Sequence, residues 1–339
     1  MRNPISYFVR SLLAVLACSL CLPVGAAERG ELTGGAVHVA PSWFKESFLE
    51  IADDVDEATE EGRHVLLFFQ LNGCPYCDRM LTESFETAPV SNYIQEHFDS
   101  IAINVRGDRD IAFNEEISVT EKELSELLKV RATPAILFLD ANNKTVARVN
   151  GYRAPARFEK VLNYVQSKAY ENSSLAEYLD QNLPKDVYTL REHPIYQPIT
   201  DLASVKGPLA VVFEDGSCLD CDEFYDRMLS RDDVLERLGE YTVVRLDAAS
   251  GETITDPQGN TTTPREMALK LDMFYRPGVL LFDQGELIRR HDSLPFTHHF
   301  KESMLYVSGG SYKNEEYGDF SERRTEELLA AGININLSE

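Results

Sequence analysis

Two apolar runs of strand length, "HVLLFFQL" at 64–71 and "PLAVVFED" at 208–215, stand 144 positions apart and open the same succession of patterns. A Gly- or Ser-containing turn follows each run. Next comes a helix-period stretch, "CDRMLTESF" or "CDEFYDRML", and then a second apolar strand, "DSIAINV" or "YTVVRLD". Thr-x-x-Glu then begins a further helix in both places, "TEKELSELLKV" and "TPREMALKLDMF". That spacing is a capping box, with the threonine oxygen and the glutamate satisfying free amides of the first turn, and Pro264 suits the first helical position. Each copy continues through an x-Pro into strand, polar turn and strand, "RATPAILFLDANNKTVARV" and "FYRPGVLLFDQGELIRRH". Each then closes on an amphipathic helix, "RFEKVLNYVQSKAY" and "THHFKESMLYVSGGSY".

The predicted order in one copy is therefore strand, helix, strand, helix, strand, strand, helix. Such alternation makes an α/β fold: a mixed central sheet with helices on both faces, built twice in tandem. Landmark pairs hold the register, with Thr120 and Thr263, and Pro134 and Pro277, each 143 apart. The copies span residues 40–172 and 195–315, joined by a polar, proline-containing linker at 173–194 that begins with a short helix. A C-terminal helical extension at 316–339 includes "DFSERRTEELLAAG" and packs on the second copy. "SWFKESFLEIADDVDEATEEG" supplies an additional helix before the first strand, and "TITDPQGNTTT" reads as an exposed turn.

Residues 1–27 have the charged, apolar, small-residue pattern of an export signal, with Pro23 ending the apolar stretch and cleavage expected before Glu28. An uncleaved anchor and lipid attachment at Cys18 are the other readings of this segment. Its loss leaves 312 of 339 residues, enough for two domains, and takes the formal charge from −23 to −25. Such a surface repels nucleic acid and anionic lipid, so neither is an expected partner, and no membrane contact is expected beyond the export signal.

After the leader the chain keeps four of its six cysteines: Cys74, Cys77, Cys218 and Cys221. A disulfide scaffold would close long loops, and these pairs close almost none. Cys74 stands where a helix begins, so amide dipoles favour its thiolate, and Pro75 presets the first turn. Cys77 lies one turn on, less exposed. Cys74 is thus the attacking sulfur and Cys77 the resolving one. A cis peptide at Thr133–Pro134 would bring Thr133 beside the pair, where its backbone can align an extended substrate. At the second pair, Asp215, Asp220 and Asp222 disfavour a thiolate, and Arg276 before Pro277 offsets them if its guanidinium reaches the sulfur. This pair is a second active site, a relay or a structural bridge.

"GCPYCDRM" together with "VRATPAILFLD" resembles the thioredoxin superfamily, in particular exported, periplasmic thioredoxin-related proteins similar to those of sulfur oxidation and disulfide handling. The resemblance covers both copies. It implies thiol–disulfide oxidoreductase activity on protein thiols and disulfides, re-set by a redox donor protein, without a prosthetic group or metal. Cys74, Cys77, Cys218 and Cys221 would be catalytic, and Pro75, Tyr76, Thr133, Pro134, Arg276 and Pro277 would shape the substrate groove. Thioredoxins carry a buried aspartate six residues before the first cysteine, where this chain has Phe68 and Val212, and a tryptophan just before it, where it has Gly73 and Ser217. Those departures favour a specialised exported exchanger over a general reductase. Disulfide isomerase or oxidase activity is the nearest alternative. A non-catalytic binding or chaperone module is another, although Phe44, Phe48, Tyr76 and Phe85 fit buried helix faces. A zinc site shared by the two pairs would need ligands 141 residues apart. The seven histidines show no ligand spacing, and His298–His299 is expected on an exposed helix face.

Overall fold

The computed structural model describes residues 28–339; the export signal expected at 1–27 lies outside the described residues. Short β1 (Leu32–Thr33) leads to α1 (Ile51–Glu60), β2 (His64–Gln70) and α2 (Pro75–Met80), which runs on through a π-helical turn, Leu81–Phe85. Then come α3 (Val90–His97), β3 (Phe98–Asn104), a small hairpin of β4 (Asp110–Ala112) and β5 (Ser118–Thr120), and α4 (Glu121–Leu127). The strands β6 (Ala135–Leu139) and β7 (Thr145–Asn150) and helix α5 (Pro155–Gln166) complete the first unit. Helix α6 (Leu175–Asn182) crosses towards the second.

There the order recurs: β8 (Leu209–Glu214), α7 (Cys221–Glu223) with its π-helical turn Phe224–Leu229, α8 (Asp232–Leu238) and β9 (Thr242–Asp247). A hairpin of β10 (Ile254–Thr255) and β11 (Thr261–Thr262), α9 (Pro264–Lys270), β12 (Gly278–Asp283), β13 (Glu286–His291) and α10 (Thr297–Ser308) follow. The chain ends with α11 (Tyr317–Ala330) and β14 (Ile335–Asn336), the latter pairing in parallel with β1.

Both central sheets have one plan. The strands lie in the order β3-β2-β6-β7 and β9-β8-β12-β13, with the first pair of each sheet parallel and the others antiparallel. This is the tandem α/β architecture that the sequence pattern predicts. Strand alternation divides each core in two. Leu66 and Phe68 face α2, α3 and α5, whereas Val65, Leu67 and Phe69 face α1 and α4. Both capping boxes form, at Thr120–Glu123 and Thr263–Glu266, and Pro264 occupies the first turn of α9.

Three local expectations need correction. The leading helix begins only at Ile51, because the preceding residues are spent on the sheet edge. Lys45 donates its amide to Ser100, and Phe44 packs on Phe68 and Phe85. Phe48, expected on a buried helix face, is 96 % exposed in that extended lead. The expected exposed turn near Gly259 is present and joins β10 to β11, pinned by the Asp256 carboxylate accepting from the amides of Gln258 and Asn260. His298 and His299 are half-buried, because α11 folds back over α10 with the Tyr317 hydroxyl on the His299 carbonyl; burial pushes both imidazoles down to about 4.

Candidate functional site: a thiol pair at the face between two units

Cys74 sits at the N-cap of α2 in extended conformation, with Pro75 at the first helical position. Gly73, at φ +81°, makes the preceding turn, a backbone angle that the tryptophan of related motifs would resist. The Cys74 sulfur accepts the Cys77 amide at 3.1 Å and the Thr133 hydroxyl at 3.4 Å, and lies 3.6 Å from the Thr133 carbonyl. The Thr133–Pro134 peptide is cis. Cys74 is 7 % exposed and Cys77 is fully buried, and both are free thiols. The hydrogen bond from the Cys77 thiol, helped by Thr133 and the first-turn amides, holds Cys74 below the usual thiol range against the cost of burial. Burial, then the neighbouring Cys74 sulfur, pushes Cys77 far up. Two thiols one turn apart therefore differ in acidity, as an attacking and a resolving sulfur require.

Cys218 and Cys221 are joined in a disulfide and buried. Arg276–Pro277 is also cis. The Arg276 guanidinium is engaged by the Asp215 carboxylate at 2.7 Å and by the carbonyls of Met273 and Tyr275. The expectation that it would offset the acids at the sulfur is thus met only at second hand: its charge answers Asp215. Asp220 accepts the Tyr275 hydroxyl at 2.7 Å, and exposed Asp222 pairs with Arg191.

The structure also brings together residues that the sequence patterns did not link. Tyr76, between the first two cysteines, stacks on Phe296 of the second unit at 3.8 Å between ring centroids. Arg153 and Arg157, both buried, set their guanidinium groups over the Tyr275 ring, and Arg157 donates to the Phe274 carbonyl at 2.6 Å. Arg79 on α2 reaches Glu223 on α7 at 3.7 Å, so the helices that follow the two cysteine motifs lie side by side. A signal for Arg157 existed: an arginine on the apolar face of α5, among Phe158, Val161 and Leu162. Phe296 carried none, since contacts between units leave no periodicity.

Residues 51–166 match the family model described as a thioredoxin-like domain. No curated protein matches the chain. Among solved structures, a thioredoxin-fold protein from Helicobacter pylori is 26 % identical, covering 35 % of this chain and 79 % of its own, with a TM-score of 0.32. A thioredoxin from Thermus thermophilus is 23 % identical, over 41 % of this chain and 89 % of its own, at 0.29. The C-terminal domain of DsbD from Neisseria meningitidis, in its oxidised form, is 14 % identical, over 37 % and 97 %, at 0.26. Among the described residues no helix is long and apolar enough to cross a membrane. Residues 51–166 of this chain thus form a thioredoxin-like domain.

Proposed function

We propose that this chain is an exported thiol–disulfide oxidoreductase that reduces disulfides in protein partners of the periplasm through Cys74 and Cys77. Its working units are residues 40–172 and 195–315. The observation that carries the reading is the sulfur of Cys74 receiving the Cys77 amide and the Thr133 hydroxyl, with a free, buried thiol one turn behind it.

In the reaction, the Cys74 thiolate attacks one sulfur of a substrate disulfide and expels the other as thiolate, leaving a mixed disulfide. Cys77 gives up its proton and attacks the Cys74 sulfur. That breaks the mixed bond, releases the second substrate thiol and leaves a Cys74–Cys77 disulfide. Two electrons have passed to the substrate, whose two sulfurs take one proton from Cys77 and one from water, and a dithiol donor protein restores the pair. Thr133, held at the sulfur, aligns the substrate backbone.

The test is reduction of a protein disulfide by the full chain with a dithiol donor, together with the equilibrium of each pair against a glutathione series. Turnover lost in Cys74→Ser, with a pair more reducing than glutathione, supports the reductase. An equally reactive Cys74→Ser protein refutes the site. A pair more oxidising than glutathione refutes the direction and leaves oxidase or isomerase.

A further inference from the structure

The substrate groove of the first unit is already covered by the chain itself. Gly151 donates its amide to the Pro134 carbonyl at 2.7 Å and so forms the wall beside the cis proline. Against that wall stands Ser293: a β-carbon on Gly151 would meet its hydroxyl oxygen at 2.2 Å. Asn150 reaches Asp292 at 3.5 Å, Phe296 stacks on Tyr76, and Arg227 donates to the Pro295 carbonyl while its guanidinium lies 5.2 Å from the Phe296 ring. Residues 292–296 therefore lie along the groove from the proline loop to the cysteine motif, and Cys74 is left 7 % exposed.

We propose that Asp292–Phe296 is a built-in lid on the Cys74 site. It confines attack to disulfides on small or extended, flexible carriers and excludes folded protein surfaces until the two units part. The inference rests on Cys74 being the attacking sulfur and adds the substrate class that can reach it.

The same interface is built to open. The Tyr76 hydroxyl, Nε and Nη2 of Arg153, and Nε and Nη1 of Arg157 are buried with no hydrogen-bond partner in the protein. Unpaired buried polar groups weaken the closed state, and parting the units returns them to water. The Arg79–Glu223 pair at the rim is partly exposed and screened by salt, so it holds the units only weakly.

Accessibility of Cys74 to reagents of two sizes tests the lid without relying on turnover. The reduced full chain is treated with N-ethylmaleimide or with a maleimide on a polyethylene glycol chain of several kilodaltons, and loss of the unmodified Cys74 peptide is followed by mass spectrometry. The lid predicts a far larger size penalty in the folded protein than in the urea-unfolded chain. Phe296→Ala, which removes one stacked aromatic pair, should speed the large reagent roughly two- to tenfold and leave the small one nearly unchanged. Glu223→Arg, a partly exposed site whose change sets like charges against Arg79, should act in the same direction, so the test survives if Phe296→Ala folds poorly. An equal size penalty in folded and unfolded protein overturns the lid, as does a penalty that neither substitution changes. Inertness of Cys74 to both reagents in every variant would instead sink the exchange reading, and the lid with it.

Discussion

The Thr133 hydroxyl is the cleanest handle on the acidity of Cys74. Thr133→Val removes one oxygen, keeps the side chain's shape and leaves the Cys77 amide at 3.1 Å and the Cys77 thiol in place. A hydrogen bond to a charged acceptor contributes about 1.5–3 kcal/mol, and a 3.4 Å contact to sulfur belongs below that range, at about 1 kcal/mol. Losing it favours the protonated thiol. The sign is fixed: Cys74 lies below its ordinary range when folded, so the midpoint moves up, and below that midpoint the thiolate fraction falls roughly fivefold. The assay is the pH profile of iodoacetamide alkylation at the Cys74 peptide of the reduced protein. A profile with its midpoint moved up and an unchanged plateau rate at high pH is the expected result. An unmoved midpoint, or one moved down, refutes the assignment of that hydroxyl as a thiolate donor.

Two further outcomes follow from the site and its surroundings. Cys77→Ser keeps the attacking sulfur and removes the resolving one, so a disulfide-bearing protein should accumulate as a mixed disulfide on Cys74, visible as a reductant-sensitive band shift; absence of the adduct would separate Cys77 from resolution. Glu214 is fully buried, and burial raises its carboxyl to about 7 despite hydroxyl donors from Tyr196 and Tyr225. Because the folded state holds this proton more tightly than the unfolded one, the stabilisation is present below pH about 4.5 and is lost as pH rises to about 7, a change on the order of 3 kcal/mol. Glu214→Gln should flatten this part of the curve of melting temperature against pH, and an unaltered slope would mean that another group supplies it.

The reach of the sequence depended on whether a feature was local or repeated. The apolar run "HVLLFFQL" placed β2 to within a residue of its observed end, because a centrally paired strand is apolar on both faces. The Thr-x-x-Glu boxes located α4 and α9, since their hydrogen bonds lie within one turn. The relation between Cys74 and Thr133 came from recognising a repeated layout, and the structure closes it to 3.4 Å. Contacts with no local pattern were missed. Phe48 has the same polarity and spacing as buried Phe44, yet Ser47 turns the chain by accepting the Leu49 amide and leaves Phe48 in solvent. Helix α6, read as linker, puts Leu175, Leu179 and Leu183 into the first core, while Tyr188 already belongs to the second, so the crossing between units is much shorter than the polar stretch suggested.

The two cysteine pairs share a fold position and differ in what stands around it, which assigns them unequal work. Tyr76 occupies in the first motif the place that Asp220 holds in the second, each between its pair of cysteines. An aromatic ring adds no charge beside a developing thiolate, and here it also provides the flat face on which Phe296 rests. A buried carboxylate at that place opposes a second negative charge, although the Arg153 guanidinium lies over the ring of its Tyr275 partner. Arg276, the cation nearest in sequence to the second proline, is spent on Asp215. Reducing Cys218–Cys221 would thus place a thiolate near the Asp220 carboxylate, whereas reducing Cys74–Cys77 yields one that has donors waiting for it. On the function proposed above, attack belongs to the first unit, and the second contributes the surface that decides what reaches it.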